Sequence, residues 1–302
     1  MKKSFRKAMI STICMLFVGV MSLTGVTYAW FSAGTEATVS QINVGVKTSD
    51  GGVLISTDAE AWTSNLQSSA LGIDSTALSP VSTNGAVANQ ALKFFTATNG
   101  DTGNITDITL AESATGNYIK FDLYFNNEAG AAKNIGLSAN TLVNLPADAT
   151  KHSDYAARIA IIKQSTVTTS AFYADGGLTT LQANNGTASY VYEPNATLHT
   201  AAGMRDYKAQ DSTYDNSEKK FSYFGVGAAP ETDTTQVNKY TDSNYLDAVT
   251  TYDLGTTAFE LDADSFVKIT VYIWLEGQDH DCQNDIAGQA FNVNLEFTVI
   301  AG

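Results

Sequence analysis

Glu276, Asp279, Asp281, Asn284 and Asp285 fall within ten consecutive positions. So dense a set of hard oxygen donors suits Ca²⁺, which gathers about six to eight oxygens from carboxylates, amides and carbonyls. The order Asp-x-Asp-x-x-Asn-Asp lacks the glycine and the terminal glutamate of an EF-hand loop. The same residues therefore also read as an acidic, solvated loop, and Glu276, Asp279, Asp281 and Asp285 are the ligand candidates if calcium is the occupant. No other cofactor is expected.

Catalytic patterns are missing from the sequence. His152, His199 and His280 are the three histidines, and none belongs to a His-Glu-x-x-His pair, whose spacing puts two zinc ligands on one helix face with a general base between them. There is no Gly-x-Ser-x-Gly elbow and no glycine-rich loop between a strand and a helix. The chain is read as a non-enzyme. Cys14 lies in the apolar N-terminal stretch, which leaves Cys282 alone in the remainder. An intramolecular disulfide is then excluded, and Cys282 is either a shielded free thiol or a link between two chains.

One covalent possibility can be weighed from strand parity. A spontaneous Lys-Asn amide bond, as in Gram-positive pilins, needs a buried lysine beside a buried asparagine and a carboxylate. Lys120 and Lys268 fall on the outward parity of their strands, as do Asn292 and Asn294. A buried amide bond is disfavoured on that reading.

The elements that must position these residues are strands. Ile119, Phe121, Leu123 and Phe125 alternate with other residues, as do Val267, Ile269, Val271, Ile273 and Leu275, and again Phe291, Val293, Leu295, Phe297 and Val299. A period of two puts one face on a core and the other toward water or a neighbour. Weaker strands are expected at 37–47, 53–56, 92–97, 135–142, 158–164, 189–192 and 221–225, with short helices near 58–66 and 244–249. Strong strands so far apart in sequence predict an all-β, antiparallel jelly-roll-like β-sandwich with a long loop-rich insertion at about 145–255. Two tandem domains are the alternative, although the final hairpin has few partners with which to form a core alone.

Charge bounds the partners. The 302 residues carry 17 Lys or Arg against 31 Asp or Glu, a net charge of -14. Residues 1–29 hold four of the bases and no acid, so the remaining 273 residues have 13 bases against 31 acids, a net charge of -18. That excess argues against nucleic acid, whose recognition needs a basic footprint.

Residues 1–29 have the form of a secretion signal. Lys2, Lys3, Arg6 and Lys7 form a basic start, Met9 to Val26 is apolar, and Thr27-Tyr28-Ala29 puts small residues at -3 and -1, predicting Trp30 as the mature N-terminus. An uncleaved anchor is the alternative, at the lower edge of the length that spans a bilayer. The mature domain, 30–302, is expected outside the cell, in an extracellular matrix or at the cell surface.

The junction Thr27-Tyr28-Ala29-Trp30-Phe31-Ser32, followed by the alternating Ala37-Thr-Val-Ser-Gln-Ile-Asn-Val-Gly45, resembles the camelysin/TasA family of secreted bacterial surface and biofilm-matrix proteins. The resemblance covers about the first 45 residues well and the all-β pattern loosely. It implies cleavage by a dedicated signal peptidase, a first strand entering a jelly-roll sandwich, and, as in the fibre-forming members, polymerisation by donor-strand exchange. Main-chain hydrogen bonds at an exposed strand edge give such a contact its affinity. Trp30, Phe31, Val39, Ile42 and Val44 would carry the polymerisation strand. Val39 and Ile42 have opposite parity, so a bulge or turn near Ser40-Gln41 is needed. Residues 39–46 also read as the first strand of their own sandwich, and both readings hold if only 30–38 are donated.

Two functional expectations follow. One is an extracellular structural subunit of a fibre or matrix whose partner is a second copy of itself. The other is a monomeric adhesin or carbohydrate-binding sandwich, with Trp62, Trp274 and the tyrosines 190, 192, 207, 214, 223 and 240 as stacking platforms for a surface glycan.

Overall fold

A computed structural model describes residues 36–47, 52–73, 75–83, 85–99, 105–110, 116–127, 130–145, 153–195, 251–277, 282 and 288–300. In chain order the strands are β1 (Ala37–Lys47), β2 (Val53–Ser56), β3 (Asn65–Leu66), β4 (Thr76–Leu78), β5 (Val87–Ala88), β6 (Ala91–Leu92), β7 (Phe95–Asn99), β8 (Ile105–Leu110), β9 (Tyr118–Asn127), β10 (Lys133–Leu137), β11 (Leu142–Asn144), β12 (Ala157–Thr168), β13 (Tyr190–Tyr192), β14 (Thr251–Tyr252), β15 (Phe259–Leu261), β16 (Ser265–Leu275) and β17 (Ala290–Ile300). The fold is all-β.

Two large sheets form a sandwich. The first has the order β15-β10-β17-β1-β3, with β11 also on β17 and β4 also on β1; the second has the order β14-β13-β12-β16-β9-β2. Hairpins β5–β6 and β7–β8 stand apart. The sequence leads to an expectation of antiparallel strands, but the sheets are mixed, because β1 runs parallel to β17 and β13 parallel to β14. Single-chain alternation shows that a strand has two faces, but it does not distinguish a parallel from an antiparallel neighbour.

The inner faces interlock through the alternating residues. Ile119, Phe121, Leu123 and Phe125 of β9, and Phe291, Val293, Leu295 and Phe297 of β17, all belong to the main core. Phe125 bridges the sheets: its ring meets Phe259 edge-on at 5.2 Å and Phe297 at 5.0 Å, offset geometries that aromatic rings favour. On β17 the intervening Asn292, Asn294, Glu296 and Thr298 stay at least partly exposed, as the period of two requires.

β16 departs from that pattern. All eleven of its residues are buried, although only every second one faces the other sheet. The outer face of the second sheet is covered as well. Val81, Leu92 and Phe94 pack on Tyr272 and Trp274 toward one end. At the other end, Ala59, Leu181, Trp62, Phe172 and Leu178 gather around Phe266 and Tyr124. A third layer of loops and short helices therefore lies over the sandwich, so the expected water-facing side of β16 is interior.

Three further expectations meet the structure differently. The segment expected to be an insertion from 145 onward contains β12, a central strand between β13 and β16 with Ile159, Ala160, Ile161 and Ile162 fully buried. The second sheet thus draws β12, β13 and β14 from that stretch, and residues 196–250 lie outside the described part. The expected helix at 58–66 is instead a bend at 58–61 that leads through a bridge between Thr63 and Ile55 into β3. Asp58 there accepts from Ser56 Oγ and from the N–H groups of Glu60 and Ala61 at 2.7, 2.8 and 3.0 Å, a local alternative to helix that Asp offers readily. The short helices are instead Ser68–Leu71, Thr169–Phe172 and Gly177–Gln182. The expected helix at 244–249 and strand at 221–225 lie outside the described residues.

Candidate functional site

The N-terminal strand is fixed within its own subunit. β1 lies between β17 on one side and β3 and β4 on the other, and Val39, Ile42 and Val44 are at most 1% exposed. The anticipated irregularity is present: Val39 pairs with Phe291 and Gln41 with Asn292, which leaves Ser40 as the extra residue of a bulge. Ser40 and Gln41 both face outward, so Val39 and Ile42 both face the core. Between the short pairings with β4 and β3, the flank of β1 is closed by Ser68, whose Oγ both accepts from Ile42 N–H and donates to Ile42 C=O, each at 2.7 Å. Trp30 and Phe31 lie outside the described residues.

The acidic candidates are split by the same boundary. Glu276 follows directly on the end of β16 and is fully buried. Its Oε1 accepts from Ser82 Oγ and its Oε2 from Trp274 Nε1 at 3.1 Å, so the carboxylate ties the covering segment at 81–82 to the sheet. Val81 reinforces that junction by donating to Leu275 C=O at 3.0 Å and accepting from Gly277 N–H at 2.9 Å. Asp279, Asp281 and Asp285 lie outside the described residues, as do the three histidines. Among the described residues no group of three or more His, Cys, Asp and Glu side chains could hold a metal. Cys282 is 3% exposed and lies within the main core.

The aromatic platforms are largely closed. Trp274 and Tyr192 are fully buried. Trp62 is half-buried with its ring 5.3 Å from Phe266. Burial pushes the hydroxyl pKa of Tyr192 up to about 12, although a hydrogen bond to Thr256 opposes the shift. Tyr207, Tyr214, Tyr223 and Tyr240 lie outside the described residues. The exposed aromatics among those described are Tyr173 and Tyr252.

A polar cluster that parity reasoning passed over sits beneath the third layer. Lys268, only 3% exposed, points outward from β16 into the gap under the helix Gly177–Gln182. Its ammonium pairs with Asp122 Oδ2 at 2.9 Å and donates to Gln182 C=O and Asn184 Oδ1, each at 2.8 Å. Asp122 Oδ1 accepts from Thr270 Oγ1 at 2.7 Å, and Thr270 Oγ1 accepts from Gln164 Nε2 at 3.0 Å. Gln164 Oε1 in turn accepts from Gly186 N–H at 2.8 Å. A buried charge persists only when paired and hydrogen-bonded, and this network supplies both. Lys120, its expected companion in outward parity, is exposed and lies over the Tyr272 ring at 5.8 Å. The signal missing from sequence was the cover: β16 carries polar Lys268 and Thr270 amid bulky Phe266, Tyr272 and Trp274 on one parity, a face too apolar to be left to water.

No protein-family model, curated protein or solved structure matches the chain.

Proposed function

We propose that the protein is a secreted, non-enzymatic structural subunit of an extracellular fibre or biofilm matrix, in which the N-terminal segment of one copy adds to a sheet edge of the next. The supporting observation is the position of β1. The strand is locked mid-sheet from Ala37 onward, and the aromatic pair Trp30-Phe31 precedes it by only a few residues. Donation is thereby limited to residues before the anchored strand, and the donor can engage a neighbour without unfolding its own subunit. A short extended segment that adds to a sheet edge gains main-chain hydrogen bonds there.

The resemblance at the cleavage junction supports the same reading. The burial of Trp274 and Tyr192 removes two of the stacking platforms on which a glycan-binding reading would rest. The test is truncation. Residues 37–39 pair with β4, so removing only residues 30–35 from the mature chain should abolish assembly while leaving the sandwich folded.

A further inference from the structure

We infer that Lys268 and Asn184 form an intramolecular amide bond, with Asp122 as the proton carrier. Three groups of the required kinds converge in one place: an amine, a carboxamide and a carboxylate. Lys268 Nζ is hydrogen-bonded to Asn184 Oδ1 at 2.8 Å and to Asp122 Oδ2 at 2.9 Å, so the amine lies against the carbonyl it would attack and the base that would free its lone pair. Holding reactants in contact in this way replaces an encounter in solution with an effectively unimolecular step.

Lys268 is the buried member of the three, whereas Asn184 is exposed and the Asp122 side chain is 35% exposed, so hydrogen bonds rather than burial fix the two partners of the lysine. Lys268 lies on β16, buried from its Cα to its ammonium by the layer above. Asp122 lies on β9, the strand next to β16, with its second oxygen held by Thr270 at 2.7 Å. Asn184 is clamped on both sides: the carbonyl of Gln182 accepts from the same ammonium at 2.8 Å, and the N–H of Gly186 donates to Gln164 at 2.8 Å. Gly186 is required there, because a Cβ would sit 2.2 Å from Ile162 Cγ2 and 2.8 Å from the carbonyl of Lys163. A bulkier residue would lift the segment and carry Asn184 away from the lysine.

The reaction balances without an oxidant or a co-reactant. Asp122 takes a proton from the Lys268 ammonium, and the neutral amine attacks Asn184 Cγ to give a tetrahedral adduct. The Cγ–Nδ2 bond then breaks as Asp122 returns the proton to Nδ2. The products are the Lys268–Asn184 amide and ammonia, which leaves as ammonium with the second proton of the original amine. The bond would tie the covering layer to the central strand and close a loop that contains residues 196–250.

Mass spectrometry of the purified protein tests this directly. The expected result is an intact mass lower than the sequence mass by one ammonia, and a tryptic digest in which the Asn184 peptide is joined to a peptide left uncleaved after Lys268. Asn184→Ala and Asp122→Ala should restore the full mass and the separate peptides. A wild-type protein of full mass overturns the inference, and that result does not depend on any variant folding. Loss of ammonia with the two peptides still separate, as ring closure at the neighbouring Asn185-Gly186 would give, overturns it equally.

Discussion

Val39 and Ile42 are three residues apart on β1, yet both side chains point into the same core, at 1% and 0% exposure. Ser40 makes this so by standing outside the ladder, with Val39 opposite Phe291 and Gln41 opposite Asn292. Removing Ser40 should therefore regularise the strand and keep Ala37, Val39, Ile42 and Val44 on their present face. Removing Asn43 should instead place Ile42 and Val44 on opposite faces, because a shift of one residue exchanges the two sides of a strand. Losing even one buried Ile from a core costs about 2–5 kcal/mol. Thermal melts of the two deletions should show a folded protein lacking Ser40 and a severely destabilised one lacking Asn43; equal loss in both would contradict the register.

Phe125 joins the two sheets by edge-on contacts with Phe259 and Phe297. Its replacement by alanine should cost about 3–5 kcal/mol in denaturant unfolding. Leu142, exposed on β11, should accept serine within about 0.5 kcal/mol. Similar effects at the two positions would show that the inter-sheet core is misplaced.

Arg158 and Glu193 form an ion pair of 2.8 Å with both side chains 1% exposed. Arg158 Nη1 also donates to the carbonyls of Tyr155 and Ala157, at 2.9 and 3.1 Å. Arg158→Leu leaves a buried carboxylate without its cation and should cost about 3–5 kcal/mol, whereas the double change with Glu193→Leu should recover much of that loss. A double variant no more stable than the single one would contradict the pairing.

The pH dependence has a definite sign at each end. The N–H groups of Ala61 and Glu60, with the Ser56 hydroxyl, hold the Asp58 carboxyl down to about 2, below its ordinary value of 3.8. Ser138 and Asn140 lower Glu296 in the same way, although burial opposes the shift. Carboxyls lowered on folding stabilise the native state above their unfolded pKa, and that contribution fades as pH falls from about 4 toward 2. Tyr192 and Tyr272 are pushed up to about 12, chiefly by burial. Their contribution is complete below their unfolded pKa and is lost as pH rises from about 10 through 12. Melting temperature should hold a plateau between these windows and fall on both sides, and Asp58→Asn should flatten the acid limb. An acid limb of unchanged slope in that variant would contradict the turn geometry at Asp58.

The strong strands were readable because their alternation is a local property: Ile119 to Phe125 and Phe291 to Phe297 report which face is buried whatever the neighbours are. The bulge was readable for a related reason, since Val39 and Ile42 could not share a core without one. What parity could not show was the third layer. The cover of β16 comes from residues far away in sequence, such as Phe94, Phe172 and Leu181, and without it Lys268 looked like a solvated lysine. The parallel partnership of β1 with β17 escaped for the same reason, because strand direction is set by topology, not by side-chain period. β12 was underweighted because its run from Ile159 to Ile162 is apolar without alternation, the mark of a strand covered on both faces.

The net charge of -18 on residues 30–302 bears on assembly. Like-charged subunits repel, and salt screens that repulsion over about 10 Å at 0.1 M. Polymerisation should therefore be promoted by added salt, by mildly acidic pH or by divalent cations, and light scattering across a salt series should rise accordingly. Scattering that falls as salt is added would contradict an assembly opposed by charge.

Electron microscopy of the purified mature chain, compared with the same chain lacking residues 30–35, tests the central claim most directly. The account predicts filaments from residues 30–302 under screening conditions, and folded, monomeric particles from the truncated chain. A mature chain that stays monomeric across those conditions, or a truncated chain that still forms filaments, would contradict assembly through the N-terminal segment.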